Sequence, residues 1–432
     1  MKNPSLLLIG LVSVPLLLGL PSITASAEPK PNNWPTWRGP HSNGHLKAEP
    51  GTFPVEWGPE KNISWKTPLA GPGNSSPIIW NNRIFLTQAT DHGKTRSLLC
   101  FDRTTGKLLW QKDVAYPEED PTHKTNFFDS ASPVTDGKIV YAWHGNAGLF
   151  AYDFTGREKW RRKDLGEYIH QWGANAASPV LYKNSLIIYA GPGTEANLFA
   201  FDKSTGKTLW KTELPDAVSE NFKQHKGSWA TPLIVNNHGE RDELILPLPR
   251  QLTAFDPATG EELWHCRGLS ELCYTNALAG DDLIVAMSGY KGPAIGVRLP
   301  DSMTTGDITE THRAWRVEPN QQRIGSGIIV GDHIFILNEP GVAQCIELRS
   351  GREIWKARLG GASWSSANHV GGLLYFTDQT GTTFVVEPNT TKLHILETNR
   401  LPKGERTNAS LAFSDGQIIQ RTDQFLRCIK AK

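Results

Sequence analysis

The sequence has few of the residues and patterns that most often carry chemistry. It has five cysteines among 432 residues, and no two of them are adjacent or separated by two residues. The zinc spacing C-x-x-C and the haem motif C-x-x-C-H are therefore absent. The hydrolase motif G-x-S-x-G, the P-loop and the zinc-protease motif H-E-x-x-H do not occur either. No catalytic or metal-ligating residue is assigned from a motif.

The chain also has no large excess of positive or negative charge, and it has only one long apolar run. Its 45 basic and 44 acidic residues give a net charge of +1, which provides no field for nucleic acid or an anionic membrane. The run Leu6–Leu20 follows Lys2 and precedes the small residues Ala25 and Ala27. This pattern predicts a signal peptide over 1–27, and hence export to the periplasm or beyond the cell. A membrane anchor is the alternative, and the short, proline-broken run disfavours it.

Tryptophan, glycine and proline are abundant, with 15, 40 and 29 copies, and a repeat accounts for many of them. The stretch AFDPATGEELW ends at Trp264, and related stretches end at Trp65, Trp110, Trp160, Trp210, Trp315 and Trp355, with Ile395 in the eighth position. The spacing of about 40 to 54 residues is that of a four-stranded propeller blade.

A second signal falls between these tryptophans. A small polar residue precedes an apolar hairpin at Ser75, Ser132, Ser178, Thr231, Asn276, Ser326, Ser366 and Asn408. The last blade stops after a third strand, QFLRCIK, whereas NISWK (62–66) is an outer strand with no blade before it. We therefore predict an all-β, eight-bladed propeller of four-stranded antiparallel blades over 59–432. Residues 28–58 form a lead-in, and the N-terminal strand completes the last blade.

The repeated turn is interpreted as a packing device. Asp256 can accept backbone N–H groups across the turn, and Gly260 supplies a positive φ. Trp264 is expected to fill the gap between blades, with its indole N–H on a backbone carbonyl. A catalytic aspartate repeated in every blade is the less favoured interpretation.

The repeat resembles the tryptophan-docking motif AxDxxTGxxxW, which residues 254–264 and 200–210 match fully. The chain is similar to the exported PQQ-like, quinoprotein alcohol dehydrogenase-like propellers, which include the assembly lipoprotein BamB. The resemblance spans about residues 60–430. It implies a blade architecture, because the motif specifies blades and not chemistry.

The loops before the inner strands are expected to surround one mouth of the channel. Their polar and aromatic residues, here called the rim residues, are Asn74, Asp129, Trp172, Asn175, Trp229, Tyr274, Asn276, Arg323, Trp364 and Asn408. They could together hold a flat, acidic ligand. The alternative is that they cap strand ends. His170 is a further candidate base or ligand, with a structural role as its alternative.

The resemblance assigns roles to some of these residues. Quinoprotein dehydrogenases use Ca²⁺, an Asp base, an Arg partner and a Trp floor with a vicinal disulfide. By that resemblance Asn175 and Asn276 would ligate Ca²⁺, Asp129 would be the carboxylate and Arg323 the cation. This chain has no adjacent cysteine pair. Cys100, Cys345 and Cys428 occupy small buried positions of the repeat, and a Cys266–Cys273 disulfide is left open.

Two functions from different classes follow. The first is an exported, non-enzymatic scaffold that requires no cofactor, is monomeric, and binds an envelope protein or a small ligand at the mouth. The second is a PQQ- and Ca²⁺-dependent oxidoreductase acting on alcohols or sugars. A third, less favoured, is another small-ligand or sugar-binding enzyme that uses the same mouth.

Overall fold

The computed structural model describes residue 1 and residues 33–123, 126–173, 176–221, 223–318 and 323–431. Asn175 and nearly all of the expected signal peptide 1–27 lie outside these residues. Residues Asn32–Lys432 form one compact unit. Within the described residues, no helix has the length and apolarity needed to cross a bilayer.

Eight antiparallel sheets follow one another along the chain, which confirms the predicted all-β propeller. The strands of blade 1 are Ile78–Trp80, Arg83–Thr90, Thr95–Asp102 and Leu108–Ala115. The strands of blade 2 are Val134–Thr135, Ile139–Trp143, Leu149–Asp153 and Glu158–Arg162. The strands of blade 3 are Val180–Tyr182, Ser185–Ala190, Asn197–Asp202 and Thr208–Glu213. The strands of blade 4 are Leu233–Asn237, Arg241–Leu248, Gln251–Phe255 and Glu262–Arg267.

The second half repeats this order, with the last blade built from both ends of the chain. The strands of blade 5 are Leu278–Ala279, Leu283–Met287, Ala294–Arg298 and Arg313–Val317. The strands of blade 6 are Ile328–Val330, His333–Leu337, Val342–Glu347 and Glu353–Arg358. The strands of blade 7 are Asn368–Val370, Leu373–Thr377, Thr383–Glu387 and His394–Asn399. The strands of blade 8 are Ala412–Ser414, Gln417–Arg421, Phe425–Lys430 and Ile63–Pro68.

The closure of the propeller is as predicted. Ile63–Pro68 pairs antiparallel with Phe425–Lys430, with Trp65 opposite Cys428 and Thr67 opposite Leu426. The first and last strands of the propeller therefore share one sheet, which leaves no open seam in the ring.

Short additional elements decorate this frame. His45–Leu46 adds a parallel strand to the inner edge of blade 7, and Gly306–Asp307 adds one to the outer edge of blade 4. Gly227–Ser228 and Leu272–Cys273 form a separate two-stranded parallel sheet. The short helices are Asp91–Gly93, Gly145–Ala147, Pro215–Ala217 and Thr309–His312.

The repeated tryptophan docks on the neighbouring blade, as predicted. The indole N–H groups of Trp65, Trp110, Trp160, Trp210, Trp315 and Trp355 donate to the carbonyls of Arg103, Phe154, Lys203, Pro257, Leu348 and Asn389, at 2.8 to 3.3 Å. Each acceptor lies in the turn of the next blade. Gly106 has a φ of +71°, and a Cβ there would lie 2.4 Å from the Trp65 ring. The turn glycine is thus required both by its φ and by the indole that covers it.

Trp264 is the exception, and the next blade explains it. Blade 5 keeps only the tryptophan of the motif, so it offers no turn on which Trp264 can dock. The fully buried Trp264 instead donates to Glu243 Oε2 at 2.9 Å, within its own blade. Arg241 binds the other carboxylate oxygen at 2.7 Å. The buried carboxylate is therefore both hydrogen-bonded and paired.

A closed ring of hydrogen bonds joins the starts of the eight inner strands. In each blade one backbone N–H donates to a side-chain oxygen of the next blade, at 2.8 to 3.0 Å, and the last bond runs from Ser410 to Ser76. We call these residues the inner ring: Ser76, Ser132, Ser178, Thr231, Asn276, Ser326, Ser366 and Ser410. All eight are buried. The small polar residue seen before each hairpin is thus an inter-blade acceptor, although in blades 1 and 8 it is Ser76 and Ser410, not Ser75 and Asn408.

The lead-in residues pack against the propeller. Trp34 exchanges two backbone hydrogen bonds with Ile79 of blade 1, and Arg38 Nη2 donates to the Gly327 carbonyl next to blade 6 at 3.0 Å. The Trp57 amide donates to Asn399 of blade 7. Trp34 and Trp57 are buried in one apolar cluster with side chains of blades 1, 7 and 8. This segment thus links non-adjacent parts of the ring.

The five cysteines are free and buried. The disulfide between Cys266 and Cys273, which the sequence neither predicted nor excluded, is not formed in the structure. The Cys273 thiol donates to the Leu248 carbonyl at 3.2 Å. Burial raises the pKa of the Cys266 thiol to about 11. Cys100, Cys345 and Cys428 are buried side chains in three separate blades, as expected.

The inner ring predicts a specific sensitivity at Thr231, whose hydroxyl accepts the Ser178 amide at 2.9 Å. Thr231→Val keeps the shape and leaves that buried N–H without an acceptor, which should cost about 1 to 3 kcal/mol. Thr231→Ser keeps the acceptor and should cost much less. Urea denaturation of both variants measures the difference; equal midpoints would show that the ring bond contributes little.

A second prediction concerns acid stability. His45 Nδ1 lies 3.1 Å from His369 Nδ1, so at least one of the two rings must be neutral in order to accept the hydrogen bond. Burial, followed by the charges of His369 and Arg38, lowers the pKa of His45 to about 4. A histidine with a lowered folded-state pKa destabilises the fold as the pH falls below its unfolded value of about 6.5.

The wild type should therefore lose more stability between about pH 7.5 and about pH 5 than His45→Gln does. The expected difference is about 1 kcal/mol after allowance for solvent screening. Thermal melts at the two pH values measure it, and parallel losses in both proteins would contradict the assignment.

Candidate functional site

The mouth of the propeller has a simple register relative to the inner ring. The residue two positions before each ring residue lines one cavity of about 350 Å³; these are Asn74, Ser130, Ala176, Trp229, Tyr274, Ile324, Trp364 and Asn408. Most of the residues between them and the ring are small and buried, as Ala131, Ala177 and Ala230 are. Side chains of an extended segment alternate in direction, so every second residue faces the channel. We call this space the mouth cavity.

One side of the mouth cavity is polar and internally bonded. Asn408 Nδ2 donates to Asn74 Oδ1 at 3.0 Å, and Asn74 Nδ2 donates to Ser130 Oγ at 3.2 Å. Ser130 in turn donates to Asn126 Oδ1 at 2.7 Å. The chain continues to the Trp172 carbonyl at one end and begins at Gln379 Nε2 at the other. Blades 8, 1 and 2 thus present amides and a hydroxyl already engaged with one another.

The opposite side is aromatic. Trp229 and Tyr274 each follow a strand of the two-stranded parallel sheet, and the Trp229 amide donates to the Cys273 carbonyl at 2.8 Å. This pairing holds the two rings side by side, with centroids 5.2 Å apart at 64°. The Trp229 indole N–H donates to the Gly173 carbonyl at 2.8 Å. Both residues are half-buried, and both line the cavity.

Two residues of the aromatic side come from a part of the blade that the sequence analysis did not consider. Tyr290 and Glu339 lie in the turns between second and third strands of blades 5 and 6, and both line the mouth cavity. The second strand runs back toward the mouth, so its turn also reaches this face. Searching those turns would have found both residues. His123, Asn126 and Ile324 also line the cavity and were likewise not identified.

His170 supports the aromatic side and does not face the cavity. It is fully buried, its Nε2 lies 3.1 Å from the Gln224 carbonyl, and its Nδ1 accepts the Trp172 amide at 3.2 Å. Burial lowers its pKa to about 4, so it is neutral at physiological pH. Its ring lies 4.9 Å from that of Trp229. The structure thus gives His170 a structural environment that orients Trp172.

The remaining rim residues divide by register. Asp129 and Arg323 lie three positions before a ring residue and therefore face away from the channel. Asp129 is buried and paired with His144 Nδ1 at 2.9 Å. Arg323 is buried, and its Nε and Nη1 have no hydrogen-bond partner among the described residues. Burial lowers the pKa of Arg323 to about 10. Asn276 is a ring member, and its Oδ1 accepts the Thr231 amide.

A smaller chamber of about 110 Å³ lies deeper, against the inner ring. It is lined by side chains of all eight ring residues and by Trp37 of the lead-in. Trp37 belongs to the segment that is bonded to blades 1 and 6. The two cavities therefore extend from an aromatic and amide mouth, past the seven hydroxyls and one amide of the inner ring, to the Trp37 indole.

Comparison with known proteins now gives the family. Residues 55–220 and 155–393 match the PQQ-like repeat family model described as outer membrane protein assembly factor BamB. The chain belongs to this family. A BamB structure from Moraxella catarrhalis aligns to this PQQ-like propeller with a TM-score of 0.60 and 14% identity, covering 86% of this chain and 97% of that chain.

Dehydrogenases share the same fold. The structure of quinohemoprotein alcohol dehydrogenase from Comamonas testosteroni aligns with a TM-score of 0.67 and 11% identity, over 93% of this chain and 81% of that one. Quinoprotein ethanol dehydrogenase from Pseudomonas putida is 25% identical over 45% of this chain and 33% of its own length. This PQQ-like propeller thus spans about a third of that dehydrogenase, and the likeness to the solved structures shows the fold alone.

The described lining of the mouth cavity does not fit PQQ with Ca²⁺. PQQ carries several carboxylates, yet no lysine or arginine is among the described lining residues, and their one carboxylate is Glu339. The acidic residue and the basic residue expected there, Asp129 and Arg323, are both buried and do not line the cavity. Among the described residues no cluster of three or more His, Cys, Asp or Glu side chains could hold a metal. A hard cation such as Ca²⁺ prefers to be bound by several carboxylate and carbonyl oxygens.

Gly289 gives a test of how the aromatic side is held. A Cβ at this position would lie 1.9 Å from Tyr274 Cδ2. Gly289→Ala should therefore displace the Tyr274 ring and cost about 1 to 3 kcal/mol. Gly58→Ala, where a Cβ meets nothing within 4 Å, is the control. Thermal melts with tryptophan fluorescence report both effects; unchanged spectra and stability in Gly289→Ala would contradict the contact.

Proposed function

We propose that this protein is a non-enzymatic, monomeric binding propeller of the cell envelope, and that a segment of a partner protein enters the mouth cavity. The supporting observation is the cavity itself, in which half-buried aromatic residues lie across from an amide side whose groups bond to one another. Aromatic side chains offer large contact areas with little loss of entropy, and they dominate binding hot spots.

Two further points support this proposal. The sequence pattern over residues 1–27 predicts export, which places the protein where envelope partners are found. The family description names an outer membrane protein assembly factor, a role that by its name concerns other proteins. In this proposal, binding at the mouth requires no cofactor.

The alternative is a PQQ- and Ca²⁺-dependent oxidoreductase acting on alcohols or sugars. The names of the dehydrogenase relatives favour it. The charge of the described lining opposes it, because the single carboxylate of Glu339 would repel an anionic quinone in a partly desolvated site.

Partner capture tests the proposal. The full chain is cross-linked in envelope extract, and captured proteins are quantified for the wild type, for the double variant Trp229→Ala and Trp364→Ala, and for Leu209→Ala. Leu209 is an exposed residue on the outer strand of blade 3 and serves as the control. A genuine partner should be retained by the control and fall at least about tenfold in the double variant, because the hot-spot rings are lost. Equal capture by all three folded proteins would refute binding at the mouth.

A separate assay tests the alternative. Purified protein is given PQQ and Ca²⁺, and absorbance and dye reduction are followed with alcohols and sugars. We expect neither saturable PQQ binding nor turnover. Substrate-dependent dye reduction that saturates with PQQ would replace the scaffold proposal by the oxidoreductase.

A further inference from the structure

The aromatic side of the mouth cavity contains one carboxylate. Glu339 Oε1 accepts the Trp364 indole N–H at 3.2 Å, so its position is fixed against the Trp364 ring. The Glu339 carbonyl also accepts the Ser363 amide at 3.1 Å, which ties this turn of blade 6 to the loop before blade 7. Neither lysine nor arginine is among the described residues that line the cavity. The carboxylate thus lines the cavity with no lysine or arginine among the other described lining residues.

Aromatic faces surround this charge. Tyr274, Tyr290 and Trp364 all line the cavity together with Glu339. Burial, and next the charge of Tyr290, raise the pKa of the Tyr274 phenol, so this ring stays a neutral phenol at physiological pH. Tyr290 is 59% exposed, so it can approach an incoming group from the solvent side. Neutral rings present negative faces to the cavity.

The other side of the cavity argues against a sugar ligand. Sugar hydroxyls need amides and hydroxyls with free hydrogen-bonding capacity. Here Asn408, Asn74 and Ser130 are bonded in series, and Asn126 is bonded at both ends of its amide. A sugar bound on this side would compete with these bonds for the same groups, whereas a group that binds the aromatic rings and the carboxylate leaves them intact.

We propose that the mouth cavity binds an organic cation, an alkylammonium group, over the faces of Tyr274 and Trp364 with Glu339 as its counter-charge. This chemistry belongs either to a lysine side chain of a protein segment or to a free substituted ammonium compound. The inference rests on the proposed function, because it names what an incoming partner segment would present. Cation–π attraction and a partly desolvated carboxylate act together on such a group.

A pair of isosteric probes tests the charge directly. Choline and dimethylbutanol have the same shape, but in dimethylbutanol a carbon atom replaces the charged nitrogen of choline. Calorimetric titration of the full chain should show saturable choline binding, and dimethylbutanol should bind at least about tenfold more weakly. Nα-acetyl-lysine amide is the third probe. If Nα-acetyl-lysine amide binds more tightly than choline, the site is assigned to a lysine of a protein segment. If choline binds more tightly, the site is assigned to a free ammonium compound.

Two variants test the residues. Glu339→Gln should weaken choline binding about tenfold and leave the binding of dimethylbutanol unchanged, because only the counter-charge is lost. Glu310→Gln, at a carboxylate with 91% side-chain exposure, should change neither. Trp364→Phe keeps an aromatic face but removes the N–H that fixes Glu339, and it should give an intermediate loss. Thermal melts of each variant confirm folding.

The outcomes separate this inference from the proposed function. Equal affinity for choline, lysine amide and the alcohol in folded protein would overturn the cation site. If, in that case, the double variant Trp229→Ala and Trp364→Ala still lost its partner, the scaffold proposal would stand without the cation site. Choline binding that depends on Glu339, with partner capture indifferent to the mouth, would support the cation site and refute the scaffold proposal.

Discussion

The inner ring is the interaction on which the other features of this propeller depend. Each blade gives one backbone N–H to a side-chain oxygen of the next, and the bond from Ser410 to Ser76 closes the cycle. These donors are buried, so a missing acceptor would leave a desolvated amide. The ring also fixes the register of every loop that leads into it. A shift by one residue would turn Trp229 and Tyr274 away from the mouth and bring their small neighbours inward.

Tryptophan docking acts at the other end of the sheets and shows how a repeat tolerates an irregular blade. In six blades the indole N–H reaches a carbonyl in the turn of the next blade. In four of these turns an aspartate just before the acceptor binds nearby backbone N–H groups. Asp202 illustrates this, since hydrogen bonds from Ser204 and Thr205 lower the pKa of its carboxyl. Blade 5 has lost this turn. Glu243 replaces it as the acceptor for Trp264, and Arg241 neutralises the charge. One missing turn is thus compensated by a buried polar network rather than by rearrangement of the ring.

The sequence was sufficient for the architecture and insufficient for the mouth, for physical reasons. Blade number, closure by residues near Ile63 and the role of the tryptophans follow from repeated local patterns, because every copy must meet the same packing demands. The site depends on direction, which propensity does not encode. Asn74, Trp229, Tyr274, Trp364 and Asn408 lie two positions before the ring and line the cavity, whereas Asp129 and Arg323 lie one residue earlier and are buried away from it. Glu339 and Tyr290 come from turns that reach the mouth only once the strand directions are known.

The mouth is where the eightfold repetition is broken, and this explains why a shared fold carries different functions. Residues of the inner ring and the docking turns are constrained in every blade by the same hydrogen bonds. The position two residues before the ring has no such constraint, and it holds amides or serine in blades 8, 1 and 2 but indole or phenol rings in blades 4, 5 and 7. A structural match to BamB or to an alcohol dehydrogenase therefore reports the constrained residues alone. The described lining of this mouth is unequal. One side is satisfied by its own hydrogen bonds, and the other side has half-buried aromatic residues beside Glu339. A ligand gains most free energy on the side whose groups have not already been satisfied, so recognition is expected there.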